Sequence, residues 1–316
     1  MQEFNSLNFE AKVLTKFLLD GRINSLGAAT ATMVISGERK MGNMGRFDGM
    51  LICTDLDGTL LKNDKTISYE NMEAIEYFKQ EGGYFTFVTG RMPFFVSYIT
   101  DTIKPNAPFG CINGGGLFDW VKEEYVWTAV MPDTVIELVK HIDDNFPDVG
   151  IQVNTFYKTY FCKENQTMKN FRKRTKLENI VCHYNDVKEP IAKILFGSEN
   201  EQEIKNIEKM LKSHPLANGF DFIRSEKTLY EILPKGIGKG TSVKNLCRHL
   251  NIDVNKTIAI GDYNNDISMF KASGIGIAVS NACDEALAEA DFITVSNEEH
   301  AIARVIYDLE SGKYAL

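Results

Sequence analysis

The segment Asp55-Leu56-Asp57-Gly58-Thr59 follows the apolar run Met50-Leu51-Ile52-Cys53, with Thr54 between them. A short apolar run of this kind reads as a buried strand of an α/β sheet. Open α/β sheets place their ligand crevice at the carboxyl ends of their strands. Acids spaced two apart at that end are brought to one site, and the glycine that follows them lets backbone N–H groups approach an anion. One Asp can then act as nucleophile and the other as proton donor, a division of labour suited to phosphoryl transfer.

Three further segments complete the pattern. Phe85-Thr86-Phe87-Val88-Thr89-Gly90-Arg91 is a β-branched and aromatic run ending in a hydroxyl, a glycine and a cation. Lys239 stands in Pro234-Lys235-Gly236-Ile237-Gly238-Lys239-Gly240 at the start of a helical pattern. Thr257-Ile258-Ala259-Ile260-Gly261-Asp262-Tyr263-Asn264-Asn265-Asp266 is a buried-type strand running into two carboxylates. In this order, the acids, hydroxyl, lysine and acid pair resemble the haloacid dehalogenase superfamily. The longer match resembles its Cof-type subfamily of phosphatases with a type-two, subtype-B cap, from about residue 47 to the C-terminus.

The alternation of signals predicts a Rossmann-like α/β fold: a parallel sheet core flanked by helices, with an inserted α+β cap domain. The core is expected over residues 47–127 and 232–316 and the cap over 128–231, with crossings near 127–131 and 232–236. A strand over 50–55 precedes a helix from its N-cap Ser68 to Glu81, with Met72, Ile75, Tyr77 and Phe78 inward. Strand 84–89, a helix from Pro93 and strand 109–113 follow, completing a βαβαβ run. Asn113-Gly114-Gly115-Gly116 then forms a loop free to adopt positive φ. In the middle, helix 132–146, strands 149–154 and 156–162, helix 164–176, strand 191–196, helix 200–213 and a hairpin of 220–225 with 228–233 make the α+β unit. The core resumes with helix 239–250, strand 257–262, helix 265–273, strand 275–279, helix 283–289, strand 291–295 and helix 298–310.

Residues 1–46 fall outside the resemblance. Phe4 to Leu19 carries a stripe of Leu7, Ala11, Leu14 and Leu18 compatible with an amphipathic helix. A partner helix, a disordered leader and residues added by an upstream start codon are the competing readings, with Met41, Met44 and Met50 close before the first strand. The expectation is a disordered leader or a start-site artefact.

Asp55 is the expected nucleophile, and a carboxylate there can form an aspartyl-phosphate. Asp57 would protonate the leaving oxygen and then deprotonate the attacking water. Thr89 can hydrogen-bond a phosphoryl oxygen, and Lys239 supplies a point charge. Thr59, Gly90, Arg91, Asn113, Gly114 and Asn265 are candidate substrate contacts, although Arg91 reads equally as a structural ion pair. Asp55, Asp57, Asp262 and Asp266 crowd one site, and hard oxygen ligands beside a phosphate select Mg²⁺. The resemblance implies metal ligation by the carboxylates of Asp55 and Asp262 and the backbone carbonyl of Asp57, with Asp266 orienting the lysine or binding metal through water. Singly, an Asp at a strand end is usually a turn residue or helix cap. The ordered set of segments is what converts pattern into site.

The net charge of −8 argues against nucleic acid as a partner. The first 46 residues carry net +2, leaving −10 for the rest. The one basic cluster, Lys169, Arg172, Lys173, Arg174 and Lys176, is either a solvated helix face or a cap surface that attracts phosphorylated substrates. Six scattered cysteines without a C-x-x-C point to a reduced, cytoplasmic protein. No stretch approaches the ~20 apolar residues needed to span a bilayer.

These readings converge on a Mg²⁺-dependent phosphatase of small phosphorylated metabolites, sugar phosphates or nucleotide-like cofactors. The expected partner is a small-molecule phosphate ester, with no nucleic acid and no membrane, on a monomer or homodimer. The rivals are a sugar phosphomutase using the same aspartyl-phosphate and a non-catalytic phospholigand-binding protein. In the resembled superfamily, an acid at Asp57 argues against an ion-pumping ATPase or a dehalogenase.

Overall fold

The computed structural model describes residues 45–314. The expected leader helix over Phe4 to Leu19 lies outside the described residues. Strand β1 (Leu51–Thr54) sits inside a five-stranded sheet, parallel both to β2 (Tyr84–Phe87) and to β11 (Thr257–Gly261). Strands β12 (Ile275–Val279) and β13 (Phe292–Thr294) continue the sheet beyond β11, again in parallel. Both faces are covered, which is why β1 is buried throughout rather than alternating. Ile52 packs with Ala74, Ile75 and Phe78 of helix α1 (Tyr69–Gln80) and with Ile302, Val305 and Ile306 of helix α9 (Ala301–Glu310). Leu51 and Cys53 face the other way, onto Val243 and Leu246 of helix α6 (Lys239–Leu250). Each fully buried Leu or Ile in these layers contributes roughly 1.5–3 kcal/mol.

Local signals set the ends of α1. Ser68 caps it by accepting from the Asn71 amide, and Glu81 is its C-cap. Of the residues expected inward, Ile75 and Phe78 are buried, whereas Met72 and Tyr77 are only half-buried. Asn71 and Ala74 take the inner positions instead, and Asn71 Oδ1 accepts from the Ala303 amide of α9 at 3.0 Å.

The expected third parallel core strand is different. Strand β3 (Phe109–Cys111) runs antiparallel to β4 (Gly116–Asp119), which pairs with β5 (Glu124–Thr128). It meets the core sheet at a parallel bridge, Val88 to Gly110, just beyond the end of β2. The physical reason is a run of positive φ at Ile112, Asn113 and Gly114 (57°, 52° and 95°), which reverses the chain. A β-branched residue at positive φ is costly. It is held here by hydrogen bonds from the Ile112 amide to Arg91 O and from the Asn113 amide to Thr89 O. Pro93 opens a 3₁₀ turn (Pro93–Phe95), and helix α2 begins only at Ser97 (Ser97–Ile103). The helix expected over 265–273 is a 3₁₀ turn (Asn264–Asp266) followed by the short α7 (Ile267–Phe270).

A second, antiparallel sheet is formed by β6 (Gly150–Thr155), β7 (Thr159–Lys163), β8 (Ile191–Gly197), β9 (Phe220–Glu226) and β10 (Leu229–Pro234), in the order β7-β6-β8-β10-β9. Helices α3 (Val135–Asn145) and α5 (Glu201–Ser213) bury one face. Helix α4 (Gln166–Thr175) packs Met168 against Phe161, Leu195 and Leu229 of the other. Ile232 to Pro234, expected on the core side of the second crossing, are the last residues of β10 and pair with Phe220–Phe222.

Helix α6 carries Lys239 at its start, and its seat on α7 depends on Gly240. A Cβ at Gly240 would lie 2.1 Å from the Ser268 carbonyl oxygen. Gly240→Ala should therefore lower stability by about 1–3 kcal/mol, against a helix-propensity gain of up to about 1 kcal/mol. Denaturant unfolding checks the sign, and a stabilised variant would show that α6 and α7 are free to separate.

Candidate active site

The site grows out of the carboxyl ends of β1 and β11. The Asp55 amide donates to Ile260 O at 2.8 Å, continuing the ladder between those strands and fixing where the Asp55 carboxylate emerges. Gly58, at φ +83°, lets the following turn close onto β11, since a Cβ there would lie 2.6 Å from Asp262 Oδ2. Thr59 is buried and donates its hydroxyl to Asp262 Oδ1 at 2.9 Å. Asp266 is fully buried, and its Oδ2 accepts from the backbone amides of Asp262 and Tyr263 at 3.0 and 2.9 Å. Its other oxygen, Oδ1, accepts from Lys239 Nζ at 2.5 Å, and the same ammonium donates to Asp55 Oδ1 at 2.6 Å.

The charges here do not balance. Asp55, Asp262 and Asp266 bring carboxylate oxygens within 4.8 Å of one another, against a single ammonium. Burial pushes the Asp55 carboxyl well above the usual range; Lys239 opposes this, while Asp266 and Asp262 add to it. Burial, followed by the charge of Asp266, pushes Asp262 up to about 6. Burial works against the Lys239 charge, but Asp266 and Asp55 outweigh it and hold the ammonium protonated. Asp266 has both oxygens engaged, so Asp55 and Asp262 are the acids with donor capacity to spare. Hard oxygen donors with surplus negative charge in a buried cluster fit a divalent cation.

Asp57 does not join this cluster. Its side chain accepts from Arg91 Nε at 2.9 Å and Nη2 at 2.7 Å, and from Lys65 Nζ at 2.8 Å. Burial pushes the Asp57 carboxyl up, but the hydrogen bonds and charge of Arg91, then of Lys65, outweigh it and leave it below the usual carboxylate range. Arg91 forms an ion pair with Asp57. Thr89 is buried at the end of the β2 run, and its hydroxyl accepts from the Arg91 amide at 3.2 Å. Asn113 is also buried; its Oδ1 accepts from Asn265 Nδ2 at 3.2 Å and lies against Gly90, where a Cβ would meet it at 2.7 Å. Gly114 packs against the Gly238 carbonyl at the entrance to α6.

Three charged residues at or near the site had not been singled out from the sequence. Lys65 lies in a turn-rich loop and carries no local signal. Lys193 and Glu231 do carry one: each is a lone charge inside an apolar strand run, Ile191-Ala192-Lys193-Ile194-Leu195-Phe196 and Leu229-Tyr230-Glu231-Ile232-Leu233. They form a buried ion pair at 3.0 Å that touches the loops of Gly90 and Asn113. The basic helix α4 is less free than its composition implies. Arg172 pairs with Glu164 at 2.7 Å, and Arg174 pairs with Glu226.

Residues 52–306 match the family described as haloacid dehalogenase-like hydrolases. The chain belongs to that family. A 5-amino-6-(5-phospho-D-ribitylamino)uracil phosphatase of Bacillus subtilis is 30% identical over 84% of this chain and 99% of its own length. A putative phosphatase of the same organism is 27% identical over 83% of this chain and 99% of its own. Among solved structures, a haloacid dehalogenase-like hydrolase from Bacteroides thetaiotaomicron superposes with a TM-score of 0.72 at 25% identity, covering 82% of this chain and 99% of that one. This haloacid dehalogenase-like hydrolase is a phosphatase. Among the described residues, no helix is long and apolar enough to cross a membrane.

The imbalance of charge has a consequence for stability. With the folded-state value of Asp262 raised to about 6, its contribution is fully present below the ordinary carboxyl value and is lost as pH rises through about 6. A cation beside the ionised group offsets that loss. The rise in Tm on adding a divalent cation should therefore be larger at about pH 7.5 than at about pH 5. Thermal melts at the two pH values measure it, and equal rises would show that Asp262 does not face the cation.

Proposed function

We propose that this phosphatase hydrolyses small phosphorylated metabolites, sugar phosphates or nucleotide-like cofactors, in a Mg²⁺-dependent reaction through an aspartyl-phosphate on Asp55. The observation that carries the reading is the Lys239 ammonium lodged between Asp55 and Asp266 at the carboxyl ends of adjacent parallel strands. Lys239 aims Asp55 and favours its ionised form against burial, and a cation held beside it would favour that form further, which is what a carboxylate nucleophile requires. Asp55 and Asp262 would hold Mg²⁺, which supplies positive charge for the oxygens of a phosphate group.

In the first step an Asp55 oxygen attacks phosphorus, the bond from phosphorus to the leaving oxygen breaks, and Asp57 gives that oxygen its proton. In the second step water attacks phosphorus and gives a proton to Asp57. The bond from phosphorus to Asp55 then breaks, and inorganic phosphate leaves. The Arg91 and Lys65 contacts bear on the proton that Asp57 must carry. An arriving phosphate competes with Asp57 for these two cations, and losing them raises the Asp57 carboxyl toward protonation. Thr89, Asn113 and Asn265, with the backbone at Gly58-Thr59, Gly90 and Gly114, would contact the phosphate.

We assign the α+β unit around β6–β10 the part of a cap inserted into the core. The relatives named as ribitylaminouracil phosphatases support a phosphorylated, polyol-containing metabolite as substrate. The scattered cysteines support a reducing, cytoplasmic location.

Release of inorganic phosphate from p-nitrophenyl phosphate tests the reading. Asp55→Asn should lower kcat by at least about a thousandfold with the circular dichroism spectrum and Tm retained. Chelation of divalent cations should abolish turnover in the native protein, and Mg²⁺ should restore it. A folded Asp55→Asn variant with near-native turnover would remove Asp55 as the nucleophile.

A further inference from the structure

Residues along β6, β8 and β10 alternate between the two faces of the second sheet. Ile151, Val153, Ile194, Phe196, Tyr230 and Ile232 pack onto α3 and α5. Their neighbours Gln152, Asn154, Lys193 and Glu231 consequently lie on the opposite face. Register sets them side by side: Asn154 pairs with Lys193, and both Gln152 and Glu231 pair with Leu195. All four are buried, at 2%, 1%, 7% and 4% exposure. Burying polar and charged side chains on a sheet face opposes folding unless they are matched.

This polar face meets the loops of the phosphate site. Lys193 Nζ donates to Gly90 O at 3.3 Å and to Glu231 Oε2 at 3.0 Å, and Asn113 Nδ2 donates to the same Glu231 oxygen at 3.4 Å. Gly90 lies between Thr89 and Arg91, and Asn113 is bonded to Asn265, so the cap's ion pair adjoins the candidate phosphate contacts. The matching on the face is incomplete. Gln152 Nε2 and Thr159 Oγ1 both donate to Asn154 Oδ1 at 2.9 Å. That leaves Gln152 Oε1 and Asn154 Nδ2 buried without a partner among the described residues. One is an acceptor and the other a donor, on alternate positions of one strand and so on the same face. Buried groups left unpaired are costly and call for an explanation.

We propose that Gln152, Asn154, Lys193 and Glu231 form the leaving-group site of the cap, reading a substrate whose alcohol portion carries both hydrogen-bond donors and acceptors, as a polyol or amide-bearing chain does. The inference rests on the phosphatase reading above and adds to it the chemistry the cap selects. Hydroxyls supply both a donor for Gln152 Oε1 and an acceptor for Asn154 Nδ2, while the charged pair offers a further donor and acceptor beside them. An alkyl leaving group supplies neither and leaves the buried groups unpaired, which is the situation in which polar sites discriminate most strongly.

Ribitol 5-phosphate and n-pentyl phosphate decide the matter, because they share carbon count and a primary alkyl leaving oxygen and differ in hydroxyls. The native enzyme should prefer ribitol 5-phosphate by about a hundredfold or more in kcat/KM. Gln152→Leu and Asn154→Leu should each lower kcat/KM for ribitol 5-phosphate by about tenfold or more, chiefly through KM. They should leave n-pentyl phosphate and p-nitrophenyl phosphate within about threefold, and Gln152→Leu, after which Thr159 still donates to Asn154 Oδ1, should keep or raise Tm. The paired change Lys193→Met with Glu231→Gln removes the charges together, so that neither is stranded, and should act in the same direction. Should that double variant not fold, the single leucine variants decide alone. Equal losses on all three substrates, or no loss on any, overturn the site. A native enzyme that cleaves p-nitrophenyl phosphate without preferring ribitol 5-phosphate over n-pentyl phosphate also overturns it and leaves the phosphatase reading standing. A native enzyme that cleaves none of the three overturns the phosphatase reading and the site with it.

Discussion

Lys239 is almost fully buried, and its ammonium is shared between Asp55 and Asp266. Removing an ammonium from water costs several kcal/mol unless opposite charge and hydrogen bonds replace the solvent. Here the replacement comes from two acids in the segments that follow β1 and β11, so the ion group ties together those segments and the start of α6. Asp266 extends the tie, because its second oxygen holds the backbone amides of Asp262 and Tyr263. The position of Asp262 is thereby set by the side chain of Asp266, and that of Asp55 by Lys239. The rest of the site is arranged around this group.

The acids nonetheless outnumber the ammonium. Asp55 and Asp262 are both pushed above the ordinary carboxyl range, while Asp57 is pulled below it by Arg91 and Lys65. The two environments lie within one short stretch of chain: Asp55 and Asp57 are two residues apart, yet one faces a buried acid cluster and the other a pair of cations. Environments that divide neighbouring carboxyls in this way are how one site assigns them separate roles. Gly58 makes the division possible, since its positive φ turns the chain and its missing side chain lets Asp262 approach.

The second sheet contributes to the site in another way. One of its faces is an ordinary apolar layer under α3 and α5, and the other carries a buried ion pair and two amide side chains with unused capacity. Polar groups retained in such a place reduce stability relative to apolar ones of similar size. Lys193 touches Gly90 and Glu231 touches Asn113, which links this sheet to the loops that follow β2 and β3.

From sequence, the four motif segments indicated the family, the parallel core and the acids Asp55, Asp262 and Asp266, because Asp55 and Asp262 directly follow strands whose apolar runs are visible by themselves and Asp266 lies in the turn just after the second. The N-cap of α1 was legible for the same reason, since Ser68 acts on residues next to it. Features set by contacts between distant segments were not legible. Strand β3 looks like another core strand, and only the positive φ run at Ile112 to Gly114 turns it into an antiparallel sheet. Lys65 meets Asp57 through a loop whose path no local pattern specifies. Lys193 and Glu231 are readable as lone charges in apolar strands, but their pairing depends on β8 and β10 being neighbours in the sheet. The sequence by itself determined the chemistry available and the strand ends that carry it, since those depend on short-range pattern. The tertiary structure decided which charge meets which, because electrostatic partners are chosen by distance in space and by burial.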